Sequence, residues 1–122
     1  MTTRETPVYQ LRIYETFEHT QKAFHERFRD HAARIMRKYD FTIIDMWEAR
    51  SRERTEFVYI LRWPDEKSIH EKWTAFMADR EWAAIKERTA AEHGSMVVKF
   101  RKGACIPFTT QRRIRGPNLE FT

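Results

Sequence analysis

The stretch EFVYILRWPD, residues 56–65, decides the fold of this chain of 122 residues. Its side chains alternate between two faces, as they do in a β-strand, and both faces are apolar. One face carries Phe57, Tyr59, Leu61 and Trp63, and the other carries Val58 and Ile60. Pro64 ends the strand because it has no N–H for the ladder, and Asp65 can cap a helix that follows. We therefore predict that this strand is covered on both sides.

The same alternation recurs in three other places. Residues 8–14, 41–48 and 96–101 alternate between two faces and are predicted to be strands. The charged segment 50–55 suits a hairpin turn between the strand at 41–48 and the one quoted above. Four strands are therefore predicted.

Two helical regions separate these strands. Apolar residues recur at helical spacing over residues 20–39, which predicts a long amphipathic helix with Arg27 among the residues turned outward. A second apolar stripe follows Asp65, and Asp79 can cap a further short helix before Gly94 interrupts the pattern. The order βαββαβ predicts an α+β protein with a ferredoxin-like fold and an antiparallel sheet.

The need to cover both faces of the sheet predicts a homodimer. Crossovers of this length bring both helical regions to the same face of a four-stranded sheet. The apolar side chains of the other face would then stay in water, and exposed apolar patches of that size mark contact surfaces. Because twofold pairs are the commonest oligomers, we expect two copies to pair through these faces.

The composition is that of one globular domain, with 41% hydrophobic and 34% charged residues. We divide the chain into a domain over residues 1–108 and a basic tail over residues 109–122. The net charge of +5 is concentrated towards that tail, but no aromatic platform accompanies it, so nucleic-acid binding is not favoured. No apolar run reaches the roughly 18 residues of a membrane span, and we expect a cytoplasmic protein. The single cysteine, Cys105, is predicted to be a small buried hydrophobe.

Four segments of the chain resemble the NIPSNAP family. They are VYQLRIY (8–14), FHERFRDH (24–31), FVYILRWP (57–64) and WTAFMADREW (73–82). The last is the most specific, because it joins Trp-x-x-Phe to Asp-x-x-Trp. The resemblance implies a dimeric α/β barrel, in which two ferredoxin-like sheets close against each other with helices outside. It implies no particular reaction and no shared cofactor, whereas related barrels include cofactor-free monooxygenases, haem-degrading enzymes and isomerases.

Four side chains are candidates for catalysis. His31 lies close to the apolar stripe of the long helix and is predicted to face the sheet, as a general acid or base or as a hydrogen-bonded residue at the core edge. Arg12 and Tyr14 share one face of the first strand and could hold an enolate or a carboxylate, or form a network in the dimer interface. Asp45 is predicted to be partly buried, in proton transfer or in a salt bridge with an arginine.

Large rings are numerous, and a cleft that they line would suit a planar aromatic ligand. The residues assigned to substrate binding are Phe28, Trp47, Tyr59, Trp63, Trp73, Phe76 and Trp82. Core packing is the alternative for each of them. The histidine spacing is not that of a metal site and no glycine-rich nucleotide loop is present, so we predict neither a metal nor a cofactor.

These features predict a cofactor-independent enzyme acting on an apolar or aromatic small molecule in a pocket between helices and sheet. The reaction would be of the isomerase, cyclase or monooxygenase type. In this hypothesis His31 moves the proton, while Arg12 and Tyr14 stabilise developing negative charge. The alternative is a non-catalytic dimeric ligand-binding or scaffold protein whose pocket or basic tail recruits a partner.

Overall fold

The computed structural model describes residues 7–105, which alternate strands with helices in the predicted order. The strands are β1 (Val8–Thr16), β2 (Thr42–Arg50), β3 (Thr55–Trp63) and β4 (Val97–Cys105). They form one sheet in the order β2-β3-β1-β4, and each neighbouring pair is antiparallel. This confirms the mixed α+β, ferredoxin-like fold, with β1 and β3 at the centre of the sheet. The basic tail at 109–122 lies outside the described residues.

The helices between the strands are α1 (Gln21–Arg27), α2 (Ala33–Lys38), α3 (Glu66–Met77) and α4 (Arg80–His93). A π-helical turn at Phe28–Ala32 joins α1 to α2, so that the two form the long helix predicted between β1 and β2. The last helix is longer than predicted, because nothing interrupts it between its cap at Asp79 and Gly94, whose φ of 71° suits a glycine. Within residues 7–105, no helix has the length and apolar character to cross a membrane.

The hydrophobic core lies between the helices and one face of the sheet. On that face β3 contributes four buried side chains, Phe57, Tyr59, Leu61 and Trp63. The helical side contributes Phe24, Phe28, Ala32, Ala33, Ile35, Met36, Phe76, Trp82 and Ile85. Burying each large apolar side chain stabilises the fold by about 1.5–3 kcal/mol. Val58 and Ile60, on the opposite face of β3, are only half buried.

A β-bulge in β2 decides where two predicted site residues lie. The register of β2 against β3 shifts between Ile43 and Asp45, so Ile44 is an extra residue in the ladder. Trp47 lies opposite Val58 on the outer face of the sheet, where it is 47% exposed. Asp45 is exposed on the same face. The prediction that Asp45 is partly buried is wrong, because β2 is an edge strand whose outer face carries no second layer in the described part of the chain.

The other edge strand, β4, is exposed along most of its length. Cys105 ends this strand and is exposed rather than buried. The prediction failed because hydrophobicity alone does not tell an edge strand from a central one.

Candidate functional site

The face of β1 that meets the helices is polar. Gln10, Arg12 and Thr16 are buried there and Tyr14 is half buried, while Arg12 lies directly opposite Tyr59 of β3. Buried polar groups need hydrogen-bond partners. The hydrogen-bond partners of these side chains therefore decide which of them stabilise the fold and which can bind a ligand.

Gln10 holds two indole rings in place. Its Oε1 accepts hydrogen bonds from Trp63 Nε1 at 3.1 Å and from Trp73 Nε1 at 2.8 Å. Trp63 belongs to β3 and Trp73 to α3, so one amide fixes a helix over the sheet. Gln10 was not predicted as a site residue, although the alternation of β1 places it on the same face as Arg12 and Tyr14.

Arg12 is a buried cation, with 9% of its surface exposed. Its Nε donates to the hydroxyl oxygen of Tyr59 at 3.3 Å and its Nη2 to that of Tyr14 at 2.8 Å. Its guanidinium carbon lies 4.0 Å from the ring centroid of Trp73 and 4.5 Å from that of Phe100, which are cation–π distances. No carboxylate pairs with it within residues 7–105. A guanidinium has about five N–H donors, so several stay available to a ligand.

The two phenols beside Arg12 have different surroundings. Tyr59 is fully buried, and this burial raises the pKa of its hydroxyl well above the usual value, so that it stays protonated at neutral pH. Tyr14 is half buried, and its ring stacks at 6.1 Å between centroids on that of Tyr59. Because both phenol oxygens accept hydrogen bonds from Arg12, each phenol still has its own proton to donate.

A cavity of about 180 Å³ lies over this cluster, between the sheet and the helices. The sheet supplies Arg12, Tyr14 and Tyr59 to its lining, and the helices supply mostly apolar and aromatic groups. Those aromatic groups are Phe24, Phe28, Trp73, Phe76 and Trp82. An apolar cavity of about 150 Å³ accepts benzene. This one is therefore large enough for a single ring with small substituents.

Most of the predicted site residues meet in this cavity. Arg12 and Tyr14 line it, and so do five of the predicted aromatic residues, Phe28, Tyr59, Trp73, Phe76 and Trp82. Trp63 is buried outside the lining, where its ring packs 4.9 Å from that of Phe41. Trp47 and Asp45 lie on the other face of the sheet, so the structure does not place them with the rest.

His31 also lies outside the cavity lining. It belongs to the π-helical turn, is half exposed, and its Nδ1 lies 3.4 Å from Arg34 Nη2. Arg34 in turn pairs with Glu81 at 2.8 Å on the exposed surface. The prediction that His31 faces the sheet is wrong. Phe28 and Ala32 take the inward positions of this turn, which leaves His31 near the surface.

Two cations in the lining were not predicted. Arg27 was expected to point outward, and Lys86 was not considered. The guanidinium carbon of Arg27 lies 5.2 Å from the ring centroid of Trp82, and Lys86 Nζ lies 5.8 Å from the same centroid. Burial lowers the pKa of Arg27, whose Nη1 donates to Thr89 Oγ1 at 2.9 Å. Helical spacing was the available signal, since Arg27 follows Phe24 by three residues and Lys86 follows Trp82 by four.

Fold and site together define a class of protein. It is a small ferredoxin-like α+β domain with an aromatic cavity under its helices, and the ionisable groups in the cavity lining are cations and phenols. In the part of the chain that the structure describes, no three His, Cys, Asp or Glu residues are grouped so that they could hold a metal ion. The chain belongs to the NIPSNAP family, whose family model matches residues 9–108.

Solved structures agree with this assignment. A NIPSNAP family protein from Agrobacterium tumefaciens superposes with a TM-score of 0.76 at 11% identity, covering 91% of this chain and 94% of that one. A NIPSNAP-like domain protein from Burkholderia xenovorans gives a TM-score of 0.73 at 14% identity, covering 92% and 94%. A Bacteroides thetaiotaomicron protein, provisionally named an antibiotic biosynthesis monooxygenase, gives 0.57 at 13%, covering 90% and 97%. Identities this low show the fold alone. The curated proteins contain no match.

Proposed function

We propose that this protein is a cofactor-independent enzyme that binds a single-ring aromatic or similarly apolar substrate in the cavity and transfers a proton on it. One observation carries the proposal: a buried arginine without a carboxylate partner in the described residues holds two phenols beside an aromatic cavity. Buried charges are normally paired. A cation kept unpaired beside a cavity can stabilise an oxygen atom on which negative charge develops, such as that of an enolate.

The geometry supports an isomerisation between an enol and its ketone. The substrate would react as its enolate, formed when the enol O–H proton is lost to solvent, and the enolate oxygen would accept hydrogen bonds from Arg12 and from the hydroxyl of Tyr59. Tyr14 would give its proton to the α-carbon, where a C–H bond forms as the oxygen becomes a neutral carbonyl, and Arg12 would stabilise the resulting phenolate. The phenolate would then take up a proton from solvent, which balances the proton that the enol released. The surrounding rings exclude water from the oxyanion.

A second candidate is a binding protein without turnover. It is favoured by one observation, namely that His31 and Asp45, the two predicted proton carriers, do not line the cavity. Both candidates bind the same kind of ligand in the cavity. They differ in whether the bound ligand reacts faster than the free ligand.

A single probe separates these candidates. Benzoylacetone has one ring and an enol in measurable equilibrium with its ketone, and the ketonisation can be followed by ultraviolet absorbance. We expect saturable acceleration by about a hundredfold or more over buffer, which is the usual contribution of a positioned acid. Quenching of tryptophan fluorescence should report binding. Binding without acceleration would support the binding protein, and the absence of both would contradict both candidates. Oxygen uptake in the same sample would point to the monooxygenase type instead.

The outer face of the sheet supports a homodimer as part of this proposal. Leu11, Ile13, Val58 and Ile60 form an apolar centre on the two middle strands, next to the exposed ring of Trp47. Charges of both signs flank this centre, among them the pair of Arg101 and Glu56 at 3.0 Å. A surface with both signs can complement a second copy of itself across a twofold axis. We therefore propose that a second copy covers this face.

The dimer can be tested by placing a charge at the centre of the face. Light scattering should give a dimeric mass for the unchanged protein at micromolar concentration and a monomeric mass for Ile60→Glu, because a buried unpaired carboxylate opposes association. Ala84→Glu, on the exposed side of α4, is the matched control and should remain dimeric. A monomeric mass for the unchanged protein would refute the dimer.

A further inference from the structure

The cavity lining is strongly cationic. It contains Arg12, Arg27 and Lys86, and no aspartate or glutamate belongs to it within residues 7–105. Like charges around one small apolar volume repel each other, and desolvation makes this arrangement more costly. An anion inside the cavity would offset both costs, because it attracts all of these cations.

The three cations come from two sides of the cavity. Arg12 rises from β1, where the two tyrosines already occupy two of its donors. Arg27 and Lys86 come from α1 and α4, and both contact the ring of Trp82. Of these cations, the proposed reaction uses only Arg12. Arg27 and Lys86 on the helices have no role in it.

The orientation of Arg27 is fixed by other groups. Its Nη1 donates to the Thr89 hydroxyl, which itself donates to the backbone oxygen of Lys86 at 3.1 Å. This chain of hydrogen bonds ties the arginine of α1 to the turn of α4 that carries the lysine. The remaining N–H groups of Arg27 have no protein acceptor among the described residues. Burial lowers the pKa of Arg27, which agrees with a cation that lacks a carboxylate partner.

We infer that the substrate is a single-ring aryl acid that carries an ionised carboxylate apart from the carbonyl that reacts. Arg27 and Lys86 bind the carboxylate on the helix side, and Arg12 with its two tyrosines faces the reacting oxygen on the sheet side. The inference rests on the proposed function for the identity of the reacting oxygen, but the carboxylate site can be measured by binding alone. The cavity volume of about 180 Å³ limits the aryl group to one ring.

A matched pair of probes tests the carboxylate site. Calorimetry on the full chain at low salt would compare 4-acetylbenzoate with its methyl ester, which has the same ring and carbonyl but no charge. We expect the acid to bind at least about tenfold more tightly, because charge-assisted hydrogen bonds to a guanidinium are strong. Added salt should reduce the advantage of the acid and leave the binding of the ester unchanged.

Substitutions locate the site. Arg27→Met and Lys86→Met should each remove most of the preference for the acid, while Arg88→Met, an exposed residue of the same helix α4, should keep it. Equal affinity of the acid and its ester would overturn the inference, and so would a preference that survives both cavity substitutions. Acceleration of benzoylacetone ketonisation does not depend on these results, because that probe has no carboxylate, so the two proposals can fail separately.

Discussion

Arg12→Met should lower kcat/KM for ketonisation of benzoylacetone by about a hundredfold to a thousandfold, which is the usual cost of one oxyanion donor. The loss should fall on kcat, because Arg12 interacts most strongly with the oxygen when its charge has developed. The free energy of unfolding should fall by about 1–2 kcal/mol, because methionine removes an unpaired buried cation but leaves the buried hydroxyl of Tyr59 without its partner. Kinetics and urea denaturation of the same preparation would measure both quantities.

Two further variants define what Arg12 does. Arg12→Lys keeps the charge but cannot donate to both tyrosine oxygens in one plane, so it should recover only part of the rate. Arg88→Met removes an exposed arginine from α4 and should leave kcat unchanged. If Arg12→Met retains the full rate while the fold is intact, the oxyanion role of this residue is refuted.

Asp79→Ala should have the largest effect on stability, about 3 kcal/mol at neutral pH. The carboxylate caps α4 by accepting from Trp82 N at 2.8 Å, and it also accepts from the Tyr39 hydroxyl at 2.6 Å and from Lys38 Nζ at 3.1 Å. Loss of a cap costs about 1 kcal/mol, and a hydrogen bond to a charged group such as this buried carboxylate is worth about 1.5–3 kcal/mol, so loss of the bond from the half-buried Tyr39 hydroxyl adds to the effect. Asp65→Ala removes the exposed cap of α3 and should cost clearly less. Urea unfolding of both variants measures the difference, and equal losses would refute the role given to Tyr39.

The effect of Asp79 should also depend on pH. Its hydrogen bonds, first from Tyr39 and then from the Trp82 backbone, lower the pKa of its carboxyl to about 2. A carboxyl whose folded pKa lies below its unfolded value of about 3.9 stabilises the fold by roughly 2.5 kcal/mol above that value. The contribution is lost as the pH falls from about 4 towards 2. Asp79→Asn keeps an oxygen for the cap but cannot titrate, so its stability should lack this pH-dependent part.

The fold was largely predictable from the sequence, because the alternation in β1 and β3 and the apolar spacing of the helices are strong periodic signals. The same alternation placed Arg12 and Tyr14 together on one strand face. Helix spacing placed Trp73 and Phe76 in one stripe of α3. Each of these predictions depended on a regular repeat within a single element.

The errors arose where a repeat was interrupted. A one-residue bulge in β2 and the edge position of that strand left Asp45 exposed, and residue types do not reveal either feature. The π-helical turn leaves His31 outside the cavity although it lies near the apolar stripe. The hydrogen bonds of Gln10 to two tryptophans join three elements, and no local pattern encodes contacts between residues so distant in sequence.

The alternation of β1 also restricts how this protein can evolve. One face of the strand carries Gln10 into the core and Arg12 and Tyr14 into the cavity lining, while the other presents Leu11 and Ile13 on the outer face of the sheet. Insertion or deletion of one residue would exchange the two faces at once, placing leucine and isoleucine in the cavity and an arginine outside. Single substitutions can change either face separately. An insertion or deletion in this strand would change the cavity lining and the outer face of the sheet together.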